Sequence, residues 1–591
     1  MRRCPASAWG GSLLLVAAAA WTTGGAEKAE EKIPDTPWPA DVPDYKAPEP
    51  GEHPRLFFRK AELPAIKERA ATPEGQGIVK RLRFLLNGSD GQSLPEVFND
   101  SKECTDGTCV HLKEPAGKAF TLWHGAGYGM LYQLTGEQKY ADLGKQAVDK
   151  VLGGTRDRDG RYSFVMPNGA LRAGPAIGAV AMAYDLCYDG WEADYRKKVA
   201  LALLNYNARE HCSLEGLVRG ARLGPESNHC GPQIGGGALA CLAIVNDPGV
   251  DRAKVTGLLD ESRKAVLMQL TRGWSMYGHY CQGDGAGAVS SDTAFLPGLQ
   301  AWRTAGGKDF ISPRPVAQWM TLKWIIPTVA WNGQGQYPGR GMYPHNCWSR
   351  TGLSGAGTFA QGFGAINDEY KPALLWLYNH YFKEADAKAG APCDTINEYP
   401  HRCILALVNW PLGMQEKNPA EFFPLADMRR HYCLRNQWKD ETDIVVSPRP
   451  SLYEPITLYA YGTKLSCGKL PGGTFTYCRE FKDGSAIVSA VKGGTYLAVD
   501  FSKATDADMV MVLVGRGATG GKDANLRKGA TCKFTRIQVG ETSYDIYTIQ
   551  TGQPPAVREQ AGKVLIGGKA MYFDGEKLIL EQLNAEDAKK G

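Results

Sequence analysis

The spacing of the apolar residues changes once along the chain, and this change limits the folds that the sequence can adopt. From His53 to about Phe423, apolar residues return every three or four positions, with loops rich in Gly, Pro and Asn between the segments. Consecutive segments, such as Lys118 to Leu134 and Gln138 to Leu152, have the lengths of helices joined in antiparallel hairpins. No strand-like alternation intervenes. Many hairpins without a strict repeat period predict an α/α toroid.

After Trp410, short alternating runs of β-branched and aromatic residues replace the helical spacing, and turns such as Pro471-Gly472-Gly473 separate several of them. This pattern predicts an antiparallel β-sandwich. The expected fold is therefore multidomain α and β, with an N-terminal (α/α) toroid over residues 53–425 and a C-terminal antiparallel β-sandwich over residues 426–591. The runs are Ile444 to Ser447, Ile456 to Tyr461, Thr474 to Cys478, Ala486 to Val491, Thr495 to Asp500, Met509 to Val514, Cys532 to Val539, Ser543 to Gln550, Lys563 to Ile566 and Lys577 to Glu581.

The amino-terminal residues have the composition of an export signal. Arg2 and Arg3 precede the apolar run Ser12 to Trp21, and small residues follow up to Ala26. The run is too short to span a bilayer, and no other long apolar stretch occurs. Residues 1–26 are therefore interpreted as a signal peptide, and residues 27–52, rich in Pro, Glu, Asp and Lys, as a linker that wraps the next domain or is left mobile. We expect a secreted or periplasmic protein without a membrane span.

Composition narrows the classes of partner and cofactor. The net charge of +5 is small for 591 residues and no Lys/Arg-rich run occurs, so a nucleic-acid partner is not expected, while an anionic substrate is permitted. The cysteines beyond Cys4 are even in number, and Cys104 and Cys109 enclose a turn sequence that a local disulfide could staple. No cysteine or histidine cluster has zinc-site spacing, so no metal and no cofactor are expected.

Two polar segments are candidates for a functional site. Gly224 to Gly237 places Glu226, Asn228 and His229 in a turn before a helix rich in small residues. Such a turn presents side chains to a cavity and backbone N–H groups to an anion. About fifty residues later, Trp274 to Gly287 offers a second polar set. We expect the two segments to face one another across a sugar-binding cleft. The second set comprises Tyr277, His279, Tyr280, Gln282 and Asp284.

Four stretches together resemble the heparinase II/III-like and alginate-lyase-like polysaccharide lyases, which combine an exported α/α toroid with a β-sandwich. The chain departs from the family in having no Tyr after Asp284 within the second polar segment and no His-x-His element in the comparable sandwich stretch, so it resembles a divergent member. The stretches are His53 to Ala70, Trp123 to Gly144, the Asn228-His229 pair before its helix, and Phe422 to Val446 with the Arg-x-x-Trp element Arg435 and Trp438.

The resemblance implies β-elimination on a uronic-acid polysaccharide. Such a lyase must neutralise the sugar carboxylate, remove the C5 proton and protonate the leaving O4. Amide or guanidinium donors suit the first task, which makes Asn228 the first candidate and Arg340 the second. His229 is the natural base, with Tyr280 or Tyr277 as the acid. One Tyr serving as both base and acid, with His229 on the carboxylate, remains an alternative.

Further side chains are predicted to contact the sugar. His279 and His345 are candidate second donors, and Trp123, His124 and Trp274 are candidate sugar platforms. Two other functions stay open at this point. A toroid glycoside hydrolase would use Glu226 and Asp284 as its two carboxylates, and a non-catalytic glycan-binding protein would have lost the chemistry.

Overall fold

The computed structural model describes residues 37–102, 104, 108–209, 211–221, 223–331, 334–336, 356–384, 399–448, 455–470, 475–490, 494–515 and 521–584. The predicted signal peptide (residues 1–26) and the first part of the predicted linker lie outside these ranges. Within them, every helix is too short or too polar to cross a membrane.

Helices occupy the described chain from Leu63 to Asn409 and confirm the helical interpretation of this region. The two segments predicted as a hairpin, Lys118 to Leu134 and Gln138 to Leu152, each contain one helix. The ends of these helices differ from the predicted ends by at most six residues. The helices are α1 (Leu63–Ala71), α2 (Pro73–Asn87), α3 (His124–Thr135), α4 (Gln138–Leu152), α5 (Ala170–Cys187), α6 (Ala193–Leu204), α7 (Leu214–Arg219), α8 (Cys230–Ile244), α9 (Arg252–Met268), α10 (Asp284–Asp292), α11 (Phe295–Gly306), α12 (Pro315–Leu322), α13 (Ala356–Gly364), α14 (Lys371–Tyr381) and α15 (Pro400–Asn409).

Six of these helices form a closed inner ring. In order around the ring, α3 packs on α5, α5 on α8, α8 on α11, α11 on α13, α13 on α15, and α15 returns to α3. Other helices pack on the outside of this ring, including α4 on α3, α9 on α8, α14 on α13 and α2 on α15. This closed arrangement of inner and outer helices is the α/α toroid that the sequence predicts.

The inner helices are rich in small residues because they approach one another closely. All fifteen residues of α8 are buried. Gly174 of α5 lies against Pro232 of α8, and Gly178 lies against Gly236, one turn further along both helices. The two helices therefore run parallel. The contacts between α8 and α11 also follow one another in parallel order along both helices. Since neighbouring inner helices point the same way, their amino ends and the loops before them gather at one end of the ring.

Replacing Gly236 by alanine is expected to destabilise the toroid strongly. A Cβ on Gly236 would lie 1.9 Å from the carbonyl oxygen of Gly174, and backbone atoms of two packed helices cannot move apart cheaply. Overpacking of this kind costs about 1–3 kcal/mol or more.

The matched control is Gly257→Ala in the exposed interior of α9, where an added Cβ meets nothing within 4 Å. Thermal unfolding followed by circular dichroism should place Gly236→Ala well below the wild type and Gly257→Ala at or slightly above it. Equal midpoints for the two variants would contradict the close helix crossing.

Three local features outside the helices bear on the sequence predictions. In the described part of the linker, β1 (Ala40–Asp41) pairs with β2 (Lys308–Asp309), so this part wraps the helical region. The hairpin of β3 (Val329–Trp331) and β4 (Gln334–Gln336) corrects the expectation that no strands intervene among the helices. Cys104 and Cys109 form the expected local disulfide.

The carboxy-terminal region is built from antiparallel strands, and it contains a strand at every predicted run. β5 to β9 form a five-stranded sheet, β10 to β16 a seven-stranded sheet in the order 10-11-12-13-16-15-14, and β17 to β20 a four-stranded sheet. The strands are β5 (Ala426–Asp427), β6 (Cys433–Arg435), β7 (Ile444–Ser447), β8 (Thr457–Ala460), β9 (Thr463–Ser466), β10 (Phe475–Glu480), β11 (Ala486–Ala490), β12 (Tyr496–Asp500), β13 (Met509–Val514), β14 (Ala524–Asn525), β15 (Thr531–Val539), β16 (Thr542–Gln550), β17 (Val557–Gln560), β18 (Lys563–Ile566), β19 (Lys569–Phe573) and β20 (Leu578–Gln582).

The seven-stranded sheet is covered on both faces, which extends the predicted two-layer sandwich to three layers. Every residue of β13 is buried. Met509 and Met511 point into the core shared with the five-stranded sheet, whereas Val510 and Val512 point into a second core shared with the four-stranded sheet. Successive residues of a strand face opposite sides, so an all-apolar strand needs a layer on each side.

The five-stranded sheet also shares a core with the helices. Ile444 and Val446 of β7 face the seven-stranded sheet, while Val445 packs with the helical core. Arg435 on β6 is fully buried at this junction and donates from Nη1 to the carbonyl oxygen of Ile326 at 2.6 Å. Its guanidinium lies 4.0 Å from the ring centroid of Trp438. The Arg-x-x-Trp element therefore joins the first sheet to the helical region.

Candidate active site

The first polar segment lies at the amino end of the inner helix α8. His229 is the N-cap residue of this helix, and Asn228 precedes it, with both side chains half-buried. Cys230 N–H donates to Ser227 O at 2.9 Å, which closes the turn into the helix. The positive end of the helix dipole is therefore directed toward the turn that carries Asn228 and His229.

The second polar segment is a tight hairpin. It follows a π-helical turn, Gln269–Gly273, at the end of α9, a feature frequent at functional sites. Trp274 and Tyr280 form a bridge between its arms. Gly278 near its tip has φ +72°, and a Cβ there would lie 2.1 Å from the carbonyl oxygen of Trp319, so only glycine fits. This turn places Tyr277 and His279, both half-buried, at the tip.

The two segments are in direct contact. Asn228 N–H donates to Gln282 Oε1 at 2.9 Å, and the Tyr280 hydroxyl donates to the carbonyl oxygen of Pro225 at 2.9 Å. The expected proximity of the two segments is therefore present, although at these residues they touch and leave no gap between them.

A third element joins the site from the first β-sheet, and sequence reasoning missed it. Asp427 is the last residue of β5, and the turn that joins β5 to β6 carries Arg430 and His431. His279 Nε2 donates to the carbonyl oxygen of Arg430 at 2.8 Å. The ring nitrogens of His431 lie 3.0 Å from Asp427 Oδ2 and 3.4 Å from the carbonyl oxygen of Tyr277. The available signal was the Asp-His spacing of four residues within a stretch noted only for its family resemblance.

Aromatic and cationic groups surround Tyr277. The guanidinium carbon of Arg430 lies 5.4 Å from the centroid of the Tyr277 ring. Trp319 stacks on His431 with centroids 4.9 Å apart and meets Tyr277 edge-on at 6.4 Å. A cation over the face of a phenol ring is attracted by the ring quadrupole. The Tyr277 ring is therefore held between a cation and the edge of Trp319.

The two carboxylates of the hydrolase alternative have different surroundings. The Glu226 side chain is half-exposed and pairs with Arg272 at 2.5 Å. Asp284 is buried, with its Oδ1 3.4 Å from the ammonium of the buried Lys323. Each carboxylate is held by a cation, and Asp284 offers almost no surface to a substrate.

Four predicted site residues are buried, which corrects the roles expected for them. Tyr280 is 4% exposed, and burial raises the pKa of its hydroxyl, which is already donated to a backbone carbonyl. This geometry does not fit the predicted acid. Trp274 is packed against Tyr280 with centroids 4.8 Å apart. Trp123 is buried in the helical region and stacks on His401. Neither tryptophan presents a face to a sugar.

His124 is also part of the helical core. It is fully buried at the start of α3, and its Nδ1 accepts the N–H of Thr121 at 2.9 Å. Burial lowers the pKa of this histidine to about 4, so the ring is neutral at physiological pH. A sugar platform at this position is therefore excluded in the folded chain.

Arg340 and His345, the predicted second donors, lie outside the described residues. Among the residues that the structure does describe, no group of three or more His, Cys, Asp or Glu side chains is placed to hold a metal ion.

The chain is similar to solved heparinase III structures at low identity. A crystal structure of heparinase III is 11% identical, covers 89% of this chain and 92% of its own, and has a TM-score of 0.43. A mutant of the heparan sulfate lyase HepC from Pedobacter heparinus is 12% identical, with 89% and 95% coverage and a TM-score of 0.44. HepC itself is 10% identical, with 78% and 82% coverage and a TM-score of 0.44. No protein-family model and no curated protein matches the chain.

Proposed function

We propose that this protein is a polysaccharide lyase that cleaves a uronic-acid-containing polysaccharide by β-elimination. The observation that supports the proposal is the hydrogen bond from Asn228 N–H, at the amino end of α8, to Gln282 in the hairpin that also bears Tyr277 and His279. These side chains supply an amide, imidazoles and a phenol, which are the groups that the elimination needs. Since both hydrolase carboxylates are engaged by cations, the lyase is the better supported of the two enzymes.

In the proposed reaction, Asn228 and the positive end of α8 neutralise the sugar carboxylate at C6. Withdrawing that negative charge stabilises the enolate-like intermediate that forms when the C5 proton leaves. Arg340 remains a proposed second donor to the carboxylate. His345 is proposed to bind the sugar beside it.

The proton transfers are assigned to His229 and Tyr277. His229 removes the C5 proton, the electron pair moves toward the C6 carboxylate and then expels the C4 oxygen, and Tyr277 protonates that oxygen. The other assignment, with Tyr277 as both base and acid and His229 on the carboxylate, uses the same residues. In either role, the ring of Tyr277 lies against the guanidinium of Arg430.

We also propose that the chain is exported to the periplasm or the outside and that residues 53–425 and 426–591 are its two domains. Cleavage after the predicted signal peptide can be measured by determining the amino-terminal sequence of the secreted protein.

The proposed activity is tested by incubating the purified chain with alginate, glucuronan, heparan sulfate, chondroitin and ulvan. β-Elimination leaves a 4,5-unsaturated uronate, so absorbance near the ultraviolet edge should rise together with new reducing ends on at least one substrate. Reducing ends without that absorbance would replace the lyase by a hydrolase, and binding without cleavage would leave a glycan-binding protein.

On the substrate that is cleaved, Asn228→Ala is expected to lower kcat by roughly 10²–10³, the typical cost of losing one donor to a developing negative charge. The matched control is Asn205→Ala at the C-cap of α6, which removes another amide of the helical region outside the three site segments. An Asn228→Ala enzyme of normal kcat would remove this residue from the mechanism.

A further inference from the structure

Lys323 is a buried cation behind the candidate site. It follows α12 as the C-cap residue, and its side chain is 1% exposed. Its ammonium lies 5.3 Å from the ring centroid of Trp274 and 4.8 Å from that of Trp324. The Nζ atom is 3.4 Å from Asp284 Oδ1. A buried ammonium requires a compensating charge, which this carboxylate supplies.

The same carboxylate faces His279. The Nε2 atom of His279 must carry its hydrogen, because its partner, the carbonyl oxygen of Arg430, can only accept. The other nitrogen, Nδ1, lies 3.9 Å from Asp284 Oδ1. Three successive contacts therefore lead from the helical core to the turn of the first sheet. They join Lys323 to Asp284, Asp284 to His279, and His279 to the Arg430 carbonyl.

The charge of His279 depends on the balance of its neighbours. The groups that face it are Asp284 from α10, Lys323 after α12, and Arg430 and His431 from the turn between β5 and β6. Burial lowers the pKa of His279, Asp284 opposes this effect, and Lys323 and His431 add to it. The pairing of Asp284 with Lys323 therefore favours the neutral ring.

We infer that Lys323 is a positioning residue of the site. By pairing with Asp284 it offsets the carboxylate that faces Nδ1 of His279, while Nε2–H of His279 holds the Arg430 carbonyl and the turn beside Tyr277. The inference rests on the proposed function for its consequence in catalysis, since Tyr277 is the proposed proton donor. The charge of His279 itself can be measured without any substrate.

The test is an NMR titration of the full chain labelled with ¹³Cε1-histidine. The chain has ten histidines, and the His279 signal is assigned by its loss in His279→Gln. In Lys323→Met, Asp284 faces His279 without its ammonium, so His279 should titrate at a pH higher than in the wild type by about one unit or more. An unchanged titration in the folded variant would overturn the inference.

Two further variants keep the test decisive. Lys323→Gln retains a hydrogen-bond donor for Asp284 but lacks the charge, so it should shift His279 in the same direction if Lys323→Met fails to fold. The double variant Asp284→Asn/Lys323→Met removes both charges and should return the titration close to that of the wild type. If His279 titrates at as high a pH in the double variant as in the single variants, then the influence of Lys323 on His279 does not act through Asp284.

The activity assay separates this inference from the proposed function. In an active enzyme, the acid limb of the kcat/KM profile should move to higher pH in Lys323→Gln, together with the titration of His279. A wild type without lyase activity would reject the proposed function while the titration still decided the role of Lys323. An active wild type with an unmoved titration would reject the inference alone.

Discussion

Replacing Tyr277 by phenylalanine is expected to lower kcat by roughly 10²–10⁴ on the polysaccharide that the wild type cleaves, which is the usual contribution of a positioned acid or base. The ring of Tyr277 packs against Trp319 and lies beside Arg430. Phenylalanine keeps these ring contacts and removes only the proton that the leaving oxygen requires. KM should change little, because the loss falls on the transition state. The measurement is the initial rate of unsaturated product over a range of substrate concentrations.

Tyr280→Phe is the matched control for this prediction. Its hydroxyl is buried and donates to Pro225, so its loss should cost about 1 kcal/mol of unfolding free energy. The rate should stay within about one order of magnitude of the wild type, since this buried hydroxyl is already donated to the Pro225 carbonyl. The reverse result is a normal kcat in Tyr277→Phe and no activity in Tyr280→Phe. That result would assign the role of acid to Tyr280.

The second large effect is expected on stability, from Arg435→Met at the junction of helices and sheet. Arg435 donates to the carbonyl oxygens of Ile326 and Gln437 and pairs with the buried Asp443 at 3.2 Å. Removing one partner of a buried ion pair costs about 3–5 kcal/mol, because the other charge is left uncompensated. Chemical denaturation should show a large fall in the midpoint. An unchanged midpoint would contradict the buried junction.

The loss of unfolding free energy in Arg435→Met should depend on pH. Burial raises the pKa of Asp443 in the wild type, and Arg435 is the first influence that opposes this rise. Without Arg435, the folded-state pKa moves further above the unfolded value of about 4. The folded state then holds a proton that the unfolded state releases, so stability falls as pH increases from about 4 through the folded-state pKa. The variant should therefore be closer to the wild type in acid than at neutral pH.

Two controls test the cause of this loss. The double variant Asp443→Asn/Arg435→Met removes the uncompensated charge and should lose the pH-dependent part of the deficit. Lys533→Met breaks a shorter ion pair, 2.6 Å to Asp523, in which both side chains are half-exposed. Water screens such a pair, so this variant should denature almost as the wild type does.

The sequence predicted the order of helices and strands because apolar spacing reports which face of each element is buried. It placed Met509 to Val514 and Lys563 to Ile566 at the observed strand bounds. It did not predict the third sheet, although the all-apolar run Met509 to Val514 already required cover on both faces. Without the packing order of the strands, one run cannot indicate which sheet supplies that cover.

Sequence patterns located the two polar segments of the candidate site but not the burial of their side chains. Asn228 and Tyr277 are polar residues in short turns, which a sequence displays directly. Burial of Tyr280 depends on packing between two loops, so no local pattern distinguishes it from Tyr277. The contribution of His431 depends on the docking of a sheet about 150 residues after the hairpin, a distance over which periodicity carries no information.

The shared core between the five-stranded sheet and the helices has a consequence for the evolution and engineering of this chain. Val445, Trp438 and Cys433 are buried among helical residues, so a helical region expressed without them would expose an apolar face to water and tend to aggregate. A substitute β-module would need to reproduce both that face and the Arg435 contacts. The two regions should therefore be inherited and exchanged as one piece.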